Sequence, residues 1–229
     1  MPDNIQHRTS WSDRLEFLKQ FIRHPRQVAS VVPSTRFLEQ RVARCVRGLS
    51  GVVVELGPGT GGITRALLEG ISADARLIAV ELNPRLAARV ARIDDPRLTV
   101  HCGGAEDLPD ILQRYGCPPA VAVVSGLPFS TIGRRRGRRI LEAVERSLMP
   151  EGEFVAYHVR GTLERLAGSR FEAIDVSTEW LSIPPMRIYR WRRAARRMMR
   201  EGVVAGANLR PRLVTGLGAA RRRDEAVSA

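Results

Sequence analysis

The chain has 229 residues, 44% of them hydrophobic and 5% aromatic, and a formal charge of +13 in which Lys19 is the one lysine among 37 basic residues. That length and apolar content suit a single globular α/β domain with a Val/Leu/Ile/Ala core and exclude a disordered chain; the positive surplus points to an anionic partner, a membrane surface or a nucleic acid. Three cysteines (Cys45, Cys102 and Cys117) with no CxxC spacing argue against a disulfide framework or a zinc site, and with no apolar run of membrane-spanning length and no signal-peptide pattern at the N-terminus, a cytoplasmic protein without metal is expected.

In chain order, segment 11–24 reads as an amphipathic helix: Trp11, Leu15, Leu18 and Ile22 form a stripe widened by Phe17 and Phe21, with Arg14, Lys19 and Arg23 off it, and Pro25 ends it. A second helix is predicted from Pro33 to about Arg47. Then strands and helices alternate. Strands are predicted at 52–56, 77–81, 98–102, 121–125 and 154–159; helices at 62–68, 84–93, 106–115 and 134–148, with a turn at Pro150-Glu151-Gly152. A short helix at 163–167 and two further strands, 171–179 and 186–191, joined through Ile183-Pro184-Pro185, complete the pattern. Such alternation with tight turns predicts a seven-stranded, mostly parallel sheet with helices on both faces. The expected organisation is an N-terminal amphipathic, membrane-docking helix and linker (1–32), a catalytic domain (33–193) and a basic, flexible tail (194–229).

The chemistry concentrates at Glu55-Leu-Gly57-Pro-Gly59-Thr60-Gly61-Gly62, a glycine-rich turn between a buried strand and a helix. Glycines let the backbone turn tightly against a ligand, and the N–H groups of the helix start face it. Gly57, Gly59 and Gly62 also satisfy the dinucleotide pattern GxGxxG, so the loop alone leaves a nicotinamide cofactor open. Glu55 is placed to engage an ammonium directly or through water, and Glu81, ending the second strand, to accept ribose hydroxyls. The turn Ser125-Gly126-Leu127-Pro128-Phe129 follows the fourth strand. All three features lie where parallel strands end, which is where ligands bind in such sheets.

These residues carry a resemblance. Glu55–Gly61, Glu81-Leu82-Asn83, Gly103-Gly104-Ala105-Glu106-Asp107, Ser125–Phe129, Pro33-Ser34 and Ile183-Pro-Pro-Met-Arg187 resemble, in order, the motifs of bacterial phospholipid N-methyltransferases, over about Phe17 to Arg193. That family looks like a relative of the ribosomal RNA adenine dimethyltransferases. The resemblance implies a class I, Rossmann-like methyltransferase fold and S-adenosylmethionine as cofactor, held by Glu55, Gly57, Gly59, Thr60, Gly61, Glu81, Leu82, Gly104, Ala105, Glu106 and Ser125. It implies an acceptor such as phosphatidylethanolamine or its methylated products. Gly104 stands where the family usually has an Asp near the adenine amine, with Glu106 or Asp107 as substitutes, and Ser182 stands where Asn is common.

At the acceptor, Ser125 Oγ and the carbonyls of Gly126 and Leu127 are expected to receive an amine's hydrogen bonds, and Phe129 to offer its face to a base or a methylated ammonium. Tyr157 and His158, at the end of the fifth strand, are expected to orient the acceptor or relay a proton. Ser125-Gly126, in place of the Asn-Leu or Asn-Ile of the RNA enzymes, is expected to favour a lipid amine over a flipped adenine, and the roughly forty residues after the last predicted strand weigh against the extra helical C-terminal domain that those enzymes normally carry. The helix at 11–22, Arg134–Arg136 with Arg138 and Arg139, and segment 190–200 are the expected membrane contacts, each basic residue near an anionic leaflet adding about 1 kcal/mol. An RNA adenine N6-methyltransferase using the same arginines against phosphates is the alternative.

Overall fold

The structure, a computed structural model, describes residues 36–158, 162–181 and 185–194. The amphipathic segment 11–24, the Pro33-Ser34 entry, Ser182, Ile183, Pro184 and the tail beyond Ala194 lie outside the described residues.

Seven strands form one sheet: β1 (Val52–Leu56), β2 (Arg76–Glu81), β3 (Leu98–Cys102), β4 (Ala120–Ser125), β5 (Leu148–His158), β6 (Phe171–Glu179) and β7 (Met186–Arg193), in the order β3-β2-β1-β4-β5-β7-β6. The first five run parallel, and β7 is antiparallel to both β5 and β6. The helices are α1 (Arg36–Cys45), α2 (Gly62–Gly70), α3 (Pro84–Val90), α4 (Leu108–Arg114), α5 (Arg134–Ser147) and α6 (Thr162–Ala167). The strand order reverses between β1 and β4, which opens a crevice at their carboxyl ends.

The runs of Val, Leu and Ile in β1, β2 and β4 reflect burial on both faces. Alternate residues supply two cores. Val52, Val54 and Leu56 pack with α4, α5 and α6 through Leu108, Ile140, Leu141 and Leu163. Val53, Leu77 and Val124 face α1 and α2 through Leu38, Val42, Ile63 and Leu67. Stacked Tyr189 and Trp191, their rings 5.0 Å apart, close the first core beneath β7.

Two expectations change in detail. The predicted turn at Pro150-Glu151-Gly152 is a bulge inside β5: Leu148 pairs with Ala120, and the ladder resumes at Glu153 opposite Ala122. Glu151 absorbs the kink at φ 64°, the left-handed region that side chains disfavour. The helix expected from Glu106 begins as a 3-10 turn over Ala105–Asp107, and α4 proper starts at Leu108.

Candidate active site

Three strand-tip loops form the mouth of the crevice, each continuing the ladder by one bond: Gly57 N–H donates to the Val80 carbonyl at 2.9 Å, Gly103 N–H to Glu81 at 3.0 Å and Gly126 N–H to Leu56 at 3.0 Å. Between them lies an open cleft of about 750 Å³. Gly57, Gly59, Glu81, Leu82, Asn83, Gly103 and Ala105 line it on one side, and Gly126, Leu127, Pro128, Ile132, Arg136 and Ile140 on the other.

The glycine loop needs its glycines. Gly57 has φ +74°, and a Cβ on it would sit 2.9 Å from Leu127 Cδ2, so this loop and the acceptor turn touch where only hydrogen fits. Glu81 organises the loop from below. Its Oε2 accepts Gly59 N–H at 3.1 Å and its Oε1 accepts Asn83 N–H at 2.9 Å, leaving the carboxylate fixed at the cleft wall. Burial raises its pKa, against those two N–H groups, which lower it. Asn83 in turn caps α3, accepting from Arg85 N–H at 2.9 Å.

Glu55 lies beneath the loop, fully buried and outside the cleft lining. Thr64 Oγ1 donates to its Oε2 at 2.7 Å, while Oε1 has no hydrogen-bond partner. Burial pushes its pKa up to about 8. A buried acceptor without a donor is costly, and it fits a site that completes itself with a cationic or N–H-bearing ligand. The exposed Thr60 and the buried Gly61 also lie outside the lining.

At the third motif an acid, Glu106, lies against Gly104. The Glu106 carboxyl folds back over Gly104: a Cβ on that glycine would lie 2.9 Å from Glu106 Cδ. Arg136 of α5, itself part of the cleft wall, holds Glu106 Oε2 at 3.1 Å. Arg136 is therefore turned inward, a correction to its expected place among the membrane-facing arginines; Arg134, Arg135 and Arg138 are exposed. Arg190, also expected to face a membrane, is forked onto Glu153 at 2.8 Å.

The acceptor turn departs from expectation in three places. Phe129 does not offer its face: it is buried in the first core, packed against α5 at Gly137. Ser125 Oγ accepts Leu127 N–H at 3.3 Å, and the Leu127 carbonyl accepts Phe129 N–H at 2.9 Å, so both hold the turn before any amine arrives. Tyr157 places its hydroxyl where a side chain on residue 126 would be. Burial, and then the charge of Glu55, raise its phenol far above the ordinary value, which favours the neutral O–H. His158 is buried, and its Nε2 accepts Ser130 N–H at 3.3 Å, a bond that pins the loop just past the turn.

Sequence reasoning missed Thr64, Ile132, Ile140 and the inward role of Arg136. Thr64 stands two residues past Gly62 in the helix that the motif opens, which was a readable signal. The others come from α5 and its entry loop, which no motif marks.

The chain is 31% identical over 177 residues to the ornithine lipid N-methyltransferase of Singulisphaera acidiphila, covering 76% of this chain and 92% of that one. A local match, 41% identical over 95 residues, links it to the ribosomal RNA small subunit methyltransferase A of Caulobacter vibrioides; it covers 40% of this chain and spans about a third (34%) of that relative's length. Among solved structures the fold is similar to TrmN from Thermus thermophilus, with a TM-score of 0.62, 14% identity and coverage of 75% of this chain and 53% of that one. No family model matches the chain. The chain belongs to the class I S-adenosylmethionine-dependent methyltransferases, in the family of the ornithine lipid N-methyltransferase. It is an enzyme, and its methyl donor is S-adenosylmethionine.

Proposed function

We propose that this enzyme methylates the amine headgroup of a membrane lipid, phosphatidylethanolamine, its methylated derivatives or an ornithine lipid, at a membrane surface on the cytoplasmic side. The observation that carries the reading is the extent of the similarity: the relative named for a lipid amine is matched over nearly its whole length, and the RNA enzyme over a third of its own.

The donor supplies a methyl group on a positively charged sulfur, ready for in-line displacement by a neutral amine. The residues present fit such a donor. Glu81 accepts the two ribose hydroxyls with lone pairs that Gly59 and Asn83 leave unused. Glu55 Oε1, with no hydrogen-bond partner, receives the amino-acid ammonium directly or through one water. Leu82, Ala105 and Ile132 enclose an adenine, and Glu106, steadied by Arg136, takes the amine edge that the Asp would have taken.

On the acceptor side, catalysis by this chain is chiefly positioning. Pro128 and the Ser125 and Leu127 hydrogen bonds fix the turn. The Gly126 carbonyl and the neutral Tyr157 hydroxyl accept hydrogen bonds from the incoming amine and aim its lone pair into the cleft. His158 acts through Ser130 as a positioning residue.

Incubation with methyl-labelled donor and, separately, phosphatidylethanolamine vesicles, ornithine lipid vesicles and ribosomal RNA tests the reading. Label in either lipid supports it. Label in RNA alone overturns it in favour of an adenine methyltransferase, for which the local match and the chain's charge would then account.

A further inference from the structure

Large apolar side chains stand exposed at the edge of the sheet that carries the cleft. Because β7 runs antiparallel to both β5 and β6, the carboxyl ends of β5 and β6 point the same way, together with those of β1 to β4. Trp180 and Leu181 follow β6 at that end and are 74% and 60% exposed. By strand spacing, the tip of β6 lies three strands from that of β4, about 14 Å from the acceptor turn.

This exposure is built into the fold. Glu179, buried at the end of β6, accepts Leu181 N–H with its Oε1 at 2.9 Å, which fastens the turn from inside while its two apolar side chains face outward. Arg41 of α1 reinforces it, with Nη1 3.7 Å from Glu179 Oε2 and donating to the Thr178 carbonyl at 3.4 Å. Phe37, one helical turn before Arg41, is also exposed, at 53%. Two elements distant in sequence are thus joined at Arg41 and Glu179, and each carries exposed apolar side chains, Phe37 on α1 and Trp180 with Leu181 after β6.

The same rim is positively charged. Arg134 and Arg135 are exposed in the first turn of α5, directly after the acceptor loop, and that turn holds no acid. A helix N-terminus disfavours cations, so this placement is unfavourable until an anion covers it. Arg187, opposite Thr178 in the β6–β7 ladder, is half exposed and lies 3.9 Å from the equally exposed Glu164, a loose surface pair that a lipid phosphate can replace. A tryptophan with aliphatic neighbours beside exposed arginines has the composition of a membrane–water interface.

We propose that Phe37, Trp180 and Leu181 form an apolar wedge that enters the interface of an anionic lipid bilayer, with Arg134, Arg135 and Arg187 on lipid phosphates, so that the cleft opens onto the headgroups. The proposal rests on the lipid-amine reading, and it makes the sheet rim a docking surface in its own right beside segment 11–22.

Full-length protein and its Trp180→Ala/Leu181→Ala variant are sedimented with vesicles of phosphatidylethanolamine and phosphatidylglycerol, with binding of S-adenosylhomocysteine as the control for folding. The variant is expected to lose at least tenfold in vesicle affinity and to bind the nucleoside product unchanged. In a Trp11→Phe background, which silences the indole of segment 11–22, brominated lipid is expected to quench the remaining indole fluorescence, and Trp180→Phe to remove most of that quenching. Vesicle affinity equal to wild type in the double variant, or quenching in the Trp11→Phe background that survives Trp180→Phe, overturns the wedge. Neither readout requires methyl transfer, so the wedge can fail while lipid methylation stands. Binding to ribosomal RNA with none to vesicles overturns both.

Discussion

The Tyr157 hydroxyl fills the volume that a side chain on Gly126 would occupy, so the second position of the acceptor turn and the end of β5 are sterically matched. Gly126→Ala should therefore destabilise the protein by about 1–3 kcal/mol through overpacking and cut turnover at least tenfold. Tyr157→Phe in that background should restore part of the stability, because Cζ still lies 2.7 Å from the new Cβ. Tyr157→Ala should relieve the clash but forfeit the ring's packing against the second core, leaving stability no better than Gly126→Ala, and should restore no turnover, because the hydroxyl proposed to aim the amine is gone. Thermal unfolding and initial rates on the four proteins separate packing from positioning.

Arg136 and Glu106 should act as one unit on the donor's adenine. Arg136→Ala and Glu106→Gln are each expected to weaken S-adenosylhomocysteine binding by roughly tenfold or more, the range for losing a hydrogen bond to a charged group. The double variant should lose little beyond the worse single one, as residues in one network do. Replacing the adenine amine of the ligand by a carbonyl should weaken wild type and leave Glu106→Gln nearly indifferent. Calorimetry with both ligands checks this, and additive losses would break the proposed link.

Glu55 gives the donor-free enzyme a pH dependence of definite sign. Its folded pKa, about 8, lies above the unfolded value near 4.3, so the folded state holds the proton more tightly. The resulting stability is complete below about pH 4.3 and is lost as pH rises through about 8, at up to about 1.4 kcal/mol per pH unit. Glu55→Gln should flatten this fall between pH 5 and 8. Thermal melts of both proteins without donor read it directly, and parallel curves would count against the burial of an ionisable Glu55.

The strands and the glycine-loop side of the cleft were legible in the sequence because each depends on local pattern. Buried parallel strands are continuous β-branched runs, as at Val52-Val53-Val54, and a glycine loop announces its own backbone. Side chains that reach across the fold were not legible. Arg136 looked like one of five surface arginines until α5 set it beside Glu106, thirty residues away in sequence. Phe129 reads as an exposed aromatic in its motif, yet in the fold it is buried against α5 beside Gly137, with its N–H on the Leu127 carbonyl. Arg41 and Glu179, far apart in the chain, carry no shared signature at all.

The account depends most on Glu81, which both builds the glycine loop and faces the cleft. Calorimetric titration of wild type and Glu81→Ala with S-adenosylhomocysteine tests it most directly. Loss of the ribose contacts and of the bond to Gly59, together worth about 3 kcal/mol, predicts binding at one site in wild type and roughly hundredfold weaker binding in the variant. Equal affinity in the two proteins would mean that the donor lies elsewhere, and would contradict the assignment of the cleft.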